Sequence, residues 1–497
     1  MYKHGLIFIV VLLFTVSCED NNPENGKIFT VTKSEGTGLG TLHDAIRNAN
    51  METEPCKIVF NKVSSIILKE ELPEISCAVT IDGGKDGVTI DAEGKRRIFM
   101  IVRNEITTEV SFSNLTLTGG YSDDAGGAID CSFEFCSISI NDCIFKNNKS
   151  EERGGAIYSR SFVNIDNCVF NGNESNWGGA IYGVSSIRIQ LSIFEKNKAL
   201  NGGAIVGEYP SGIYITDCVF SNNEAYEDGE YGAIGKGGAI FAQYLHVFNS
   251  LFVKNKANGR GGAFHLASPS GGLPCICINS TFVENSTTGR GGAICTGTDY
   301  PPRPTFAHTL FFAYCTFFGN SSGGMGGAVF GSGECFYINN IFSGNKVSDE
   351  STDNYGNALT GNQTKPETTS DFFAGYPYMV YNIYDRFYYD EGTDYPGIVT
   401  GNVRATVFDV FGTDQPQLKN NIIPILPNGP ANGLGRPVSI VLGDPFSSFS
   451  YRDGEKWWRL YDGNEYAGNK NDTIIVSDQT GFQRPENNIT VGAWQVR

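Results

Sequence analysis

Eight times in this chain a residue stands directly before the triplet Gly-Gly-Ala, and those positions hold Ala125, Arg153, Trp177, Asn201, Lys236, Arg260, Arg290 and Met325. Four of the eight are cationic in a protein whose formal net charge is −17. A guanidinium grips carboxylate or sulfate groups through two parallel hydrogen bonds, lysine adds a point charge, and an indole ring offers a flat surface for a sugar. Arg153, Trp177, Lys236, Arg260 and Arg290 are therefore candidate contacts for an acidic glycan. Two such cations about 5 Å apart repel by about 0.8 kcal/mol in water and by several times more at a protein surface. A row of them needs compensation, either from a ligand or from acidic neighbours such as Glu230 and Glu284 in a solvated ion-pair network.

The same residue types admit catalysis. A polysaccharide lyase removes the proton beside a uronate carboxylate, which calls for a cation to neutralise that carboxylate and a base to take the proton. Lys236, Arg260, Arg290 and His265 supply the types without forming a recognised constellation. Glycoside hydrolysis needs two carboxylates across a groove; Asp123, Asp124, Glu227 and Asp228 are available, but their spacing does not set them opposite one another. The chain has no HExxH segment, no EF-hand loop and no pair of CxxC motifs, so no cofactor is implied. Calcium on the acidic insert "NEAYEDGEYGAIGKGG" is the one metal role the composition allows. That insert precedes Lys236, where it would wall a groove. The net negative charge argues against nucleic acid, whose recognition begins with a basic footprint. A tryptophan pair, Trp457 and Trp458, has the chemistry to bind sugar but more often packs a small domain.

What would position these side chains is a repeat. The Gly-Gly-Ala triplets start at Gly126, Gly154, Gly178, Gly202, Gly237, Gly261, Gly291 and Gly326, in steps of 28, 24, 24, 35, 24, 30 and 35 residues, a period that signals stacked supersecondary units. Phe-x-x-Asn recurs in step with the repeat eight times, from Phe145/Asn148 to Phe342/Asn345. Segments such as "ISINDCIF", "IYITDCVF" and "FYINNIF" alternate apolar and polar residues, the pattern of a strand with one buried face. One such unit cannot bury its apolar side chains alone, whereas a stack can. The predicted fold is all-β, a right-handed parallel β-helix with a β-rich extension at its C-terminus. Glycine suits its tight corners because it accepts positive φ, and stacked asparagines can hydrogen-bond from coil to coil.

Aligning the coils predicts two further columns. The position two before Phe holds Cys143, Cys168, Ser192, Cys218, Ser250, Ser280, Cys315 and Asn340, small residues fit for a crowded interior corner; the cysteines read as buried thiols, although Cys143/Cys168, Cys131/Cys136 and Cys56/Cys77 are near enough to bridge. Cys275-x-Cys277 reads as structural. The position after Gly-Gly-Ala-Ile holds Asp130, Tyr158, Tyr182, Val206, Phe241, His265, Cys295 and Phe330, and an aromatic stack of this kind is usually a packing ladder.

The paired Gly-Gly-Ala-Ile and Phe-x-x-Asn motifs resemble the repeat of the chlamydial polymorphic outer-membrane proteins and of many bacterial β-helix proteins, over roughly residues 27 to 350. The resemblance extends to a cap, "VTKSEGTGLGTLHDAIRNAN", in which Leu42, Ala45, Ile46 and Ala49 lie at helical spacing and form one apolar face. Residues 1–17 have a basic start at Lys3 and an apolar run from Leu6 to Val16, too short to span a bilayer and shaped like a secretory signal. Cys18 stands where bacterial lipoproteins carry their lipid, and "CEDNN" resembles the acidic stretch that sends Bacteroidota-type lipoproteins to the cell surface. The organisation expected is a signal at 1–17, an acidic tether at 18–26, a cap at 27–55, the β-helix at 56–350 and an aromatic-rich region at 351–497, whose "VFGTDQPQLKNNIIPILPNGPANGLG" resembles the terminal region of extracellular β-helix proteins. The resemblance implies an outer-membrane surface lipoprotein, attached through its lipid alone, with an adhesive or glycan-binding role toward an extracellular glycan or cell-surface ligand. Many β-helix proteins are polysaccharide lyases, so a lyase acting on a uronic-acid glycan is the rival expectation; fold alone does not decide between them.

Overall fold

The computed structural model describes residues 26–102, 108–134, 136–208, 212–227, 234–267, 275–296 and 310–347, with short segments between 372 and 474. Strands of two to six residues make up about half of each repeated coil, and each pairs in parallel with its equivalent in the coils before and after. A first ladder runs through Ile129–Cys131, Ile157–Ser159, Ile181–Gly183, Ile205–Gly207, Ile240–Ala242, Phe264–Leu266 and Ile294–Thr296. A second runs through Cys136–Asn141, Phe162–Asp166, Ile187–Gln190, Ile213–Thr216, Leu245–Phe248, Cys275–Ile278 and Leu310–Ala313. Both continue into Val329–Ile338. A third ladder, from Ser65–Ile67 through Ile144–Lys146 and Ile341–Ser343 to Val403–Arg404, counts thirteen strands among the described residues. The chain is a right-handed parallel β-helix.

The repeated motifs each solve a stacking problem. The first glycine of every Gly-Gly-Ala has φ between +58° and +74°, a region costly for any residue with a Cβ. The second is needed for a different reason: a Cβ on Gly203 would strike the carbonyl oxygen of Gly238 in the next coil. Inside, the Phe-x-x-Asn phenylalanines form a column of fully buried rings, from Phe145–Phe170 with centroids 4.7 Å apart to Phe317–Phe342 at 4.7 Å, with interplanar angles of 3–9°. Each ring removed from water contributes about 1.5–3 kcal/mol.

The asparagines satisfy one another completely. Asn197 Nδ2 donates to Asn223 Oδ1 at 3.0 Å and to the carbonyl of Phe170 at 2.9 Å, while its Oδ1 accepts from Asn173 Nδ2 and from the Asn173 backbone N–H. The pattern repeats from Asn148 to Asn345. Such closure is what lets an amide sit in an apolar interior without cost. The small-residue column is a second ladder of this kind: the Cys168 N–H donates to Ser192 Oγ at 3.0 Å, and the Cys218 N–H to Ser250 Oγ at 3.1 Å. The twelve cysteines among the described residues are all buried and unbridged, the state expected for those of the small-residue column, and burial pushes the Cys218 thiol up to about 12.

At the N-terminus the helix Leu42–Ala49 buries Leu42, Ala45, Ile46 and Ala49 and is capped by Thr41, whose side chain accepts from the Asp44 N–H. The Asp44 carboxylate reaches back to accept from the Gly40 N–H at 3.0 Å, one residue before the N–H that the partner accepts from in a capping box. At the other end the ladders do not stop where the motifs do: Phe372–Val380 pairs in parallel with Val329–Ile338, and Val403–Arg404 extends the third ladder. Beyond lies a four-stranded antiparallel sheet of Val438–Ile440, Phe449–Asp453, Lys456–Arg459 and Thr473–Ile474.

Candidate functional site

Each coil turns into the first ladder through its Gly-Gly, so the preceding residue sits at a fixed point beside that ladder. Those residues stack as one row of parallel backbone bridges, Ala125 to Arg153 to Trp177 to Asn201 to Lys236 to Arg260 to Arg290, and the Gly291 N–H continues it to the carbonyl of Met325 at 2.9 Å. The predicted column is thus real, but it is not an open cationic rail. Arg260 is only 8% exposed, Lys236 and Arg290 are half-buried, and Arg290 lies over the ring of Phe330 with 5.1 Å to the centroid. Glu284 does not neutralise the row; it pairs with Lys254 at 3.5 Å. The open part is earlier, where Arg153 is exposed and Trp177 is 39% exposed on adjacent rungs.

The floor beside these two is the outward column of the first ladder. Tyr158 and Tyr182 stack at 5.7 Å and are nearly covered. The Arg153 guanidinium lies 5.5 Å from the Tyr182 centroid, a cation–π arrangement that holds the fork in place. Tyr182 donates its hydroxyl to Glu208 Oε2 at 2.9 Å. Burial first, then Glu208, raises the Tyr182 phenol well above its ordinary value, and burial does the same for Tyr158. Both remain protonated donors at neutral pH.

One rung earlier, Asp130 is 2% exposed and faces Arg97 Nη2 at 3.2 Å, and Ser132 Oγ donates to it at 2.6 Å. Burial raises the Asp130 carboxyl despite these partners. Arg97 is held by Ser122 Oγ at 2.7 Å and by the carbonyls of Ala125 and Gly126 at 2.8 and 3.0 Å, so the pair closes the end of the column.

Sequence reasoning missed Arg97 and Glu208. Arg97 lies in a coil without the Gly-Gly-Ala triplet, and the register Phe99↔Ile129 is what aligns it. Glu208 follows the strand Ile205–Gly207, outside every repeated motif.

The catalytic candidates are dispersed. His265 is 2% exposed and stacks on Phe241 at 5.7 Å, and Phe241 meets Trp177 edge-on at 6.0 Å. An imidazole so covered is closed to a polymer. Asp124 and Glu227 lie four rungs apart, about 19 Å at the inter-strand spacing, beyond either carboxylate separation used for glycoside hydrolysis. Among the described residues no three His, Cys, Asp or Glu side chains gather where a metal ion would sit, and no helix is long and apolar enough to cross a membrane. Residues 1–25 with Cys18, and 228–233, the middle of the acidic insert with Asp228 and Glu230, lie outside the described residues. Trp457 and Trp458 pair in register with Arg452 and Tyr451.

The Chlamydia polymorphic membrane protein repeat matches residues 142–160, 167–184, 217–243 and 279–297. Each match begins at or just before the small-residue column and runs through Phe-x-x-Asn to the next Gly-Gly-Ala. No curated protein matches the chain. Among solved structures, a PL6 family polysaccharide lyase from Pseudopedobacter saltans is similar at 11% identity and a TM-score of 0.33, covering 76% of this chain and 98% of that one. With motif, ladder and register in agreement, the chain is a parallel β-helix that carries the Chlamydia polymorphic membrane protein repeat at four places.

Proposed function

We propose that the protein is a non-catalytic adhesion protein that holds an acidic glycan against the first-ladder face, with Arg153 and Trp177 as its principal contacts. The observation that carries this reading is their exposure on adjacent rungs of one continuous backbone row. A sugar ring on the Trp177 indole would bring a carboxylate or sulfate substituent beside the Arg153 fork, already oriented by Tyr182 and Glu208. Pre-organised side chains lose little entropy on binding. Lys236 and Arg290 extend the attraction along the row, while Arg260 shapes it from below.

The same reading has the chain exported by residues 1–17, lipidated at Cys18 and displayed on the outer membrane. The name of the matching repeat supports a membrane-associated surface setting, and the lipid rests on the residues around Cys18. The partner is an extracellular glycan or a cell-surface ligand carrying one.

Screening pure protein against a glycan array, followed by titration calorimetry, tests the site. Arg153→Ala with Trp177→Ala should weaken binding of an acidic glycan by about 10–100-fold, as expected for losing about 1.4–2.8 kcal/mol, and added salt should shrink the arginine's share. Unchanged affinity overturns the site. Incubation with uronic-acid polysaccharides while following the ultraviolet absorbance of unsaturated ends tests the lyase alternative; turnover would replace the non-catalytic reading.

A further inference from the structure

Several pairs of thiols touch in this molecule, and their surroundings set them apart. In the small-residue column the Cys143 N–H donates to the Cys168 sulfur at 3.4 Å, a place that Ser192 and Ser250 fill with a hydroxyl on later coils. Sulfur there stands in for an acceptor oxygen, so the pair belongs to the ladder. Cys277 and Cys315 approach to 3.8 Å between sulfurs, but both are fully buried between stacked coils and closed to an oxidant. Cys131 and Cys136 are so near in sequence that a bond between them constrains little chain.

Cys56 and Cys77 differ from all of these. They lie before the first Gly-Gly-Ala, where the small-residue column has not begun. Cys56 opens the strand Cys56–Phe60, and its inward column continues as Val79, Val110 and Ile138. Packing at this place is met by aliphatic side chains on the next three coils, so it does not call for a thiol. The Cys56 N–H donates to the Ala78 carbonyl at 3.1 Å, and its thiol reaches the same carbonyl at 3.7 Å. That contact brings it beside Cys77, whose thiol donates to the Cys56 sulfur. The hydrogen bond holds the Cys56 thiol below its ordinary value against the effect of burial, whereas the same bond, then burial, raises Cys77. A lowered attacking thiol in contact with a second thiol is the arrangement of a dithiol that exchanges with disulfides.

The position also gives access. Cys56–Phe60 pairs on one side with Ile28–Val31, which has no further strand beyond it among the described residues, and Ile28 is 61% exposed. Terminal elements open at the least cost in free energy.

We propose that Cys56 and Cys77 are a dithiol that closes to a disulfide and clamps the first coil after the helical cap to the next one. The Cys56 thiol releases its proton to solvent, and its sulfur attacks one sulfur of a low-molecular-weight disulfide. That S–S bond breaks, and one small thiol leaves with a proton from solvent. Cys77 then loses its proton and attacks the Cys56 sulfur, and the second small thiol leaves in the same way. The two cysteines give up two electrons, and the small disulfide is reduced to two thiols. The bond closes a loop of about 20 residues, long enough to restrain the open chain. This inference is independent of the glycan site.

Oxidised glutathione added to the reduced full chain, followed by peptide mapping with mass spectrometry, tests it. The Cys56 and Cys77 peptides should become linked, with a joint loss of about 2 Da and no glutathione retained on either. Cys77→Ser, which removes the second thiol, should trap glutathione on Cys56, while Cys143→Ser with Cys168→Ser should leave the Cys56–Cys77 link unchanged. In the unsubstituted protein, hydrogen exchange at the amides of Cys56–Phe60 should slow by about 100-fold on oxidation. Thiols at Cys56 and Cys77 that react only after urea unfolds the chain overturn the proposal, as does a bond that maps to Cys131 and Cys136 instead. A Cys56–Cys77 bond that forms without slowing exchange overturns the clamp.

Discussion

The coils around residues 140–200 and those around 275–345 are alike inside and different outside. Their interiors carry the same phenylalanine stack and the same asparagine ladder with the same hydrogen bonds. Their outer columns diverge, from Ser139, Asn164 and Arg188 in the early coils to Ile276, Phe311 and Phe336 in the late ones. The interior is held constant because each side chain there must fit its own copy in the neighbouring coil. An outward side chain answers only to whatever lies beyond the surface, so it is free to specialise.

The strongest test of the shared interior is the second glycine. Gly203→Val and Gly292→Val, one in each region, drive a side chain into the backbone of the following coil; each should cost more than about 4 kcal/mol or prevent folding, by urea denaturation followed with circular dichroism. A mild effect at one end alone would mean that the coils are not equivalent. Next come the rings: Phe194→Ala and Phe317→Ala should each lower stability by about 3–5 kcal/mol, by the same measurement, and by similar amounts.

His246 marks the seam between the two outer surfaces. Burial, among Tyr214, Tyr244 and Phe248, holds its imidazole down to about 4, from an ordinary 6.5. A histidine depressed in the folded state costs nothing above about pH 6.5. As pH falls the unfolded chain takes up a proton that the folded one refuses, so stability drops between about 6.5 and 4, by up to about 3 kcal/mol. His246→Phe should flatten that part of the stability–pH profile; an unaltered slope would assign the acid sensitivity to other groups. Smallest of all, Arg188→Ser in the early outer surface should stay within about 0.5 kcal/mol of the parent, in the same denaturation assay. A larger loss would show that the early coils are covered too.

Much of this was legible in the residues. The helix face of Leu42, Ala45, Ile46 and Ala49, the burial of the small-residue column with its cysteines and the row from Arg153 to Arg290 follow from spacing, because periodicity translates directly into which side chains share a face. The continuation of the ladders past Asn345 was not legible, since Phe372–Val380 keeps the backbone pairing without the glycine and asparagine motifs. Pairing needs only N–H and C=O groups, which every residue but proline supplies.

Sequence by itself determined the solenoid, its rung-to-rung register and the chemistry of each column, because a repeat that can bury its apolar face only against its own copy has one way to stack. Only the tertiary structure decided that Arg260 is covered while Arg153 is open, that Arg97 finds Asp130 and Tyr182 finds Glu208, and that Phe311 is shielded where Arg188 is not. Exposure is set by what lies across the gap from a side chain, which the repeat itself does not encode.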